Sequence, residues 1–102
     1  MPNMLKLMKQ AAAMQENLQK AQAELAARTV EFSSGGGMVT AAARGDGTLA
    51  DVRIDPKVVD PNDVEMLQDL VLAAVDGALK AAKDMAAAEM SKLTAGLGIP
   101  GL

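Results

Sequence analysis

The 102-residue chain contains no Cys, His, Trp or Tyr, and Phe32 is its single aromatic residue. Each absence removes a class of chemistry. Without Cys there is neither a disulfide framework nor a thiolate metal site, a composition that fits a reducing compartment and makes the cytoplasm the expected location. Without His the usual proton carrier near neutral pH and the commonest metal ligand are both missing. The chain is therefore expected to be no enzyme, with no small-molecule substrate, and to hold no metal or cofactor. One ring gives no row of aromatic faces for bases to stack on, which disfavours a single-strand platform or an RNA-recognition sheet. No apolar run reaches about 18 residues, since LVLAAV is bounded by Asp69 and Asp76, so no membrane span is expected. The opening MPNMLKLMKQ places Lys6 and Lys9 where a secretory leader needs an uninterrupted apolar stretch.

What is present reads as one α+β domain, by length and by the order of its periodicities. Residues 1–28 read as a long N-terminal helix: Leu7, Ala11, Met14, Leu18, Ala21 and Leu25 recur at alternating spacings of four and three among strong helix formers. A three-stranded antiparallel sheet is expected over 29–55. TVEFSS alternates, Gly35 to Gly37 interrupt it, MVTAAA resumes, RGDG turns, and in TLADVRID the residues Leu49, Asp51 and Arg53 alternate against Ala50, Val52 and Ile54. A long C-terminal helix is expected over 60–93, opened by Asp60, Pro61 and Asp63 and striped by Val64, Leu67, Val71, Ala74, Ala78, Ala81, Met85 and Ala88. Gly77 inside it implies close approach of another helix or a local kink. The tail over 94–102 is uncharged and glycine-rich, so it is either flexible or docked on something apolar. Helices of this length run on the order of 40 Å and must project beyond three short strands. Their apolar stripes would then face water in a monomer, and an isologous homodimer with projecting helical arms is the economical solution.

Charge is unevenly distributed along the chain. Residues 29–69 hold three cations against eight acids, an excess of five negative charges. Residues 1–14 hold Lys6 and Lys9 and no acid, and residues 80–102 hold Lys80, Lys83 and Lys92 against Asp84 and Glu89. With the helices side by side, the start of the first beside the end of the second, a dimer would present a cationic end away from an acidic body and so orient on a polyanion. Lysines on amphipathic helices also serve simply as solvated faces, and composition alone does not establish DNA binding.

Other signals carry less. The triple glycine lacks the Lys and Ser or Thr of a phosphate loop and is followed by a strand, so a bulge or hairpin accounts for it. Arg44, Gly45 and Asp46 spell an adhesion tripeptide but make an ordinary turn. Asp60 and Asp63 fit helix capping better than acid and base roles. The eight methionines lie largely on or beside the stripes, where packing explains them.

MQENLQKAQAELA, VEFSSGGGMVTAAARGDGTLADVRIDP, VEMLQDLVLAAVDGALKAA and the closing GLGIPGL, in this order and spacing, resemble the YbaB/EbfC family of nucleoid-associated proteins over nearly the whole chain. The resemblance implies a homodimer with a shared sheet and helices projecting like the arms of tweezers. It also implies binding of double-stranded DNA near the helix ends with limited sequence preference, and a place in the nucleoid with roles in its organisation and in gene regulation. Carried onto this chain, the DNA-contacting candidates are Lys6, Lys9 and Lys20 on the first arm and Lys80, Lys83 and Lys92 on the second. Leu7, Met14, Leu18, Leu25, Leu67, Val71 and Met85 are the candidates for helix and dimer packing. Two positions depart from the family pattern: Phe32, where a small residue is common, and Asp76 with Gly77, where Asn and an acid are common. The rival reading is a dimeric helical scaffold for a protein partner, suggested by the net charge of −3 and the apolar tail.

Overall fold

A computed structural model of the chain describes residues 3–96. The elements run α1 (Met4–Ala27), β1 (Thr29–Ser34), β2 (Val39–Arg44), β3 (Leu49–Ile54) and α2 (Val64–Gly96). This is the expected α+β order of two long helices around a three-stranded antiparallel sheet. The tail expected from 94 begins inside α2, and residues 97–102 lie outside the described residues.

α1 forms because its 24 residues include no Gly, Pro or β-branched side chain. Asn3 caps it, its side-chain oxygen accepting from the Lys6 N–H at 3.3 Å. It stops where Arg28 turns extended, just before Thr29 and Val30. α2 starts later than the expected Asp60. Asp60 instead accepts from the Asn62 N–H at 2.9 Å in a local turn, and Asp63 is the residue that accepts from the Met66 N–H. Two Asx acceptors compete for one helix start here, and the one nearest the apolar run prevails.

The sheet order is β1-β2-β3. Gly35, Gly36 and Gly37 link the first two strands with φ between 60 and 93°, a left-handed run that side chains resist. The second link is tightened by Asp46, which accepts from the Thr48 N–H at 3.0 Å and from its hydroxyl. That hydroxyl bond is the main reason the Asp46 carboxyl titrates below its ordinary range. A bulge at Ala42/Ala43 sets Leu49 opposite Ala43. Leu49 thus joins Val52 and Ile54 on the apolar face, where simple alternation puts it with Asp51 and Arg53.

The core is thin. Val39, Ala41 and Ala43 on one face of β2 meet Ala74, Ala78 and Ala82 of α2, and none of the six is exposed. Side chains this small let helix and sheet approach closely, and Ser34 fixes the approach by donating its hydroxyl to the Leu70 carbonyl at 2.6 Å. On the opposite face Arg53 reaches Glu31 at 2.7 Å, spanning from β3 to β1 over the buried Ala42. α2 lies over β1 and β2, leaving Leu49, Val52 and Ile54 of β3 exposed.

Gly77 marks a close approach, as its position inside a run of helix formers implies, but the neighbour is not a helix. A Cβ there would overlap the Phe32 ring, whose Cδ1, Cε1 and Cγ are its nearest atoms. The ring of β1 sits in the notch that the missing side chain leaves. The two departures from the family pattern are therefore one packing event.

Gly77→Ala should destabilise the fold by about 1–3 kcal/mol through overpacking. In a Phe32→Ala background the same change should be stabilising by up to ~1 kcal/mol, the ordinary helix preference for Ala over Gly. A double-mutant cycle by thermal denaturation reads the reversal of sign; additive effects would contradict the notch.

Candidate nucleic-acid interface

The projecting part of the molecule is α1, and it leaves the sheet through a built joint. Leu25 is the one buried residue of α1. It packs on Gly45 in the β2–β3 turn, where any added Cβ would run into the Leu25 carbonyl oxygen. The Gly45 N–H donates to the Arg28 carbonyl at 2.9 Å. The Arg28 guanidinium donates to Glu89 Oε1 at 3.0 Å, tying the end of α1 to α2 across 61 residues of sequence. Lys92 approaches the same oxygen at 3.5 Å. The Arg28 bond first, then the Lys92 charge, hold the Glu89 carboxyl below its ordinary range.

Beyond this joint the arm is progressively uncovered. Leu18, Met14 and Leu7 are 37, 43 and 50% exposed in turn. The helices meet where Gln22, Leu25 and Ala26 line an open cleft with Ala86 and Met90. They do not run side by side from the start of one to the end of the other. Lys9 and Lys6 stand about 24 and 28 Å along the axis from Leu25, at 1.5 Å per residue. The molecule is correspondingly a rod, 76 × 23 × 15 Å with a radius of gyration of 20.1 Å. A compact chain of this length would have a radius near 13 Å.

This geometry separates the six candidate lysines, all of which are exposed. Lys6, Lys9 and Lys20 fall on one side of α1, about 130° round from the Leu7–Leu25 stripe at 100° per residue. Lys20 has Glu16 and Glu24 one turn away on either side, which offset its charge. Lys80 is similarly placed between Asp76 and Asp84. Lys83 lines a cleft with Asp46 beside the sheet, far from the free end of α1. Lys92 pairs with Glu89. Lys6 and Lys9 lie together at the free end with no acid before Glu16, so the cationic field of the arm is concentrated there.

Among the packing candidates, Leu25 is buried and Leu67, Val71 and Met85 are half-buried, while Leu7, Met14 and Leu18 face solvent. Sequence reasoning missed the Arg28–Glu89 clasp, which no local spacing signals. It also passed over Leu72, 68% exposed beside the groove formed by Leu67, Gln68, Val71 and Val75. Among the described residues, no three His, Cys, Asp or Glu side chains are grouped to hold a metal. Nor is any helix among them long and apolar enough to cross a membrane.

The family model of the YbaB/EbfC DNA-binding family matches residues 1–97. A nucleoid-associated protein of Acetivibrio thermocellus is 54% identical over 101 residues, covering 98% of this chain and 89% of its own. One from Thermoanaerobacter pseudethanolicus is 54% identical over 100 residues, with 98% and 90% covered. Among solved structures, an uncharacterized protein from Helicobacter pylori superposes with a TM-score of 0.69 at 22% identity, covering 95% of this chain and 98% of that one, which shows a shared fold.

The clasp predicts a pH effect on the arm. The folded-state pKa of Glu89 lies below the ordinary 4.5. The clasp is therefore complete above that pH and is lost as pH falls through the lowered value. Nitroxides on Ala13→Cys and Ala87→Cys, in a chain with no other Cys, should give a narrow distance distribution near neutrality that broadens in acid. Glu89→Gln should broaden it at every pH; an unchanged width would contradict the clasp.

Proposed function

The chain belongs to the YbaB/EbfC DNA-binding family, and on that premise we propose that it is a non-enzymatic nucleoid protein that grips duplex DNA as a homodimer. The observation that carries the reading is the placement of Lys6 and Lys9: exposed, a turn apart, without a neighbouring acid, at the free end of an arm whose base is tied to α2. Phosphates of any sequence satisfy such an end, so contact is chiefly to the backbone and sequence preference is limited. The acidic body orients the arms toward DNA and stays away from it. Lys20, Lys80, Lys83 and Lys92 contribute less, each having an acid close by. Nucleoid organisation and effects on gene expression follow from holding DNA with little regard to sequence. The nucleoid-associated relatives support the cytoplasmic, nucleoid location.

The dimer part of the reading rests on the uncovered side of the core. Leu72, Val52 and Ile54 are exposed, α2 leaves the apolar face of β3 open, and Leu67, Val71, Leu72 and Val75 line an open groove on α2 itself. A second copy of the same surface fills that space by two-fold symmetry. Fully burying a Val, Ile or Leu side chain contributes roughly 1.5–3 kcal/mol, and covering what remains exposed of Leu72, Val52 and Ile54 in each protomer contributes a share of that.

Two measurements test these points. Affinity for random-sequence duplex should fall with salt, and Lys6→Ala with Lys9→Ala should reduce the magnitude of the log–log slope by about 0.9 for each phosphate left unneutralised, up to four per dimer. Retention of the full slope would remove Lys6 and Lys9 from the interface. Leu72→Glu should shift the mass measured by sedimentation at micromolar concentration from dimer to monomer; a dimeric variant would move the interface elsewhere.

A further inference from the structure

The free end of α1 carries an apolar feature that neither the helix stripe nor the lysines explain. Met4, Leu5 and Met8 are 66, 62 and 64% exposed. At 100° per residue Met8 and Leu5 lie about 100° and 160° round from Leu7, so a partner helix seated along the Leu7–Leu25 stripe leaves these two out, whereas Met4, three residues before Leu7, continues the stripe. Nothing in the fold needs them: they lie beyond the joint, where α1 has no cover. Large apolar side chains held exposed on an arm mark an interaction site, and a pair of them beside two cations suits an apolar surface set inside a polyanion.

A base step of duplex DNA is such a surface. Lys9 lies one turn from Leu5, and Lys6 lies on the other side of Leu5 from Met8 around the helix, so cations that engage flanking phosphates would bring Leu5 and Met8 to the floor of the groove. The absence of any acid before Glu16 favours a polyanion over a neutral protein surface as the occupant. We infer that Leu5 and Met8 act as a wedge that opens a base step from the minor-groove side and kinks the duplex. Apolar wedges of Leu or Met work in this way by partial unstacking, with kinks of roughly 20–90° toward the major groove. Flexible pyrimidine–purine steps are the cheapest to open, so the wedge gives the arm a preference for deformable DNA without reading base edges. The inference rests on the reading that the arm holds DNA.

The test uses full-length protein and a duplex of about 30 base pairs, with 2-aminopurine beside a central TA step and a dye at each end. Binding is followed by anisotropy, unstacking by 2-aminopurine fluorescence and bending by energy transfer between the dyes. The wild type should bind, raise the 2-aminopurine signal and bring the ends together. Leu5→Ala with Met8→Ala, which keeps helix formers at exposed sites, should still bind with a similar salt slope but lose both the fluorescence rise and the bend. Lys6→Ala with Lys9→Ala should instead lose affinity. A wild type that binds without unstacking or bending overturns the wedge while leaving DNA binding in place. So does an apolar-tip variant that bends DNA as well as the wild type. If that variant instead changes the oligomeric mass, or if it loses binding to anionic vesicles that the wild type binds while DNA bending is unaffected, the tip serves a second copy or a lipid surface and the wedge is wrong. A wild type that binds no duplex at low salt removes the DNA reading itself.

Discussion

The close seating of α2 on β2 constrains everything else in this molecule. Five alanines and one valine form the fully buried contact, and each methyl-sized side chain contributes only about 0.8 kcal/mol on burial. Such a contact permits near approach of helix and sheet but supplies little apolar volume. The larger side chains, among them Leu49, Val52, Ile54 and Leu72, are left at the margins of the core. A chain built in this way positions its elements well and buries them poorly, which is why its apolar margins stay exposed.

The same seating determines where the arm can go. With α2 pressed on β1 and β2, the β2–β3 turn lies beside α2, and Gly45 offers the end of α1 a backbone surface to pack on. Leu25, the Gly45–Arg28 hydrogen bond and the Arg28–Glu89 ion pair together make a joint of one buried side chain and a few polar contacts. An exposed ion pair contributes little to overall stability. Its significance is geometric: it fixes the angle at which a helix about 36 Å long departs from the body, so a small change at the base is a large displacement at Lys6.

On the proposed reading, this scaffold places charge and shape at a distance from the body. The sheet's outer face neutralises itself, with Arg53 held by both Glu31 and Asp51. Most lysines along the helices have an acid within a turn. The free end of α1 has two lysines without one, next to three large apolar side chains. Phosphate attraction with apolar insertion, as proposed for this end, requires no His, Cys, Trp or Tyr.

Much of the fold was legible in the order of residues. Alternation of three- and four-residue spacings, strand alternation and the glycine-rich breaks specify two long helices and three strands, because those periodicities are properties of local backbone geometry. The absence of reactive side chains and the lysines at the start of α1 were equally plain. What the tertiary structure decided is which elements touch. Gly77 signals close approach by its type, but only the packing of α2 on β1 identifies Phe32 as the neighbour. Asp60 and Asp63 are equivalent caps until the docking of α2 selects one. Leu49 changes faces because of a bulge that two-residue alternation cannot encode, and Arg28 finds Glu89 because two distant segments converge on one turn. The sequence by itself determined local conformation and the inventory of charge. The tertiary structure decided which distant segments meet, bringing Lys83 to Asp46 and Arg28 to Glu89, since electrostatics and packing depend on distance in space and not on separation along the chain.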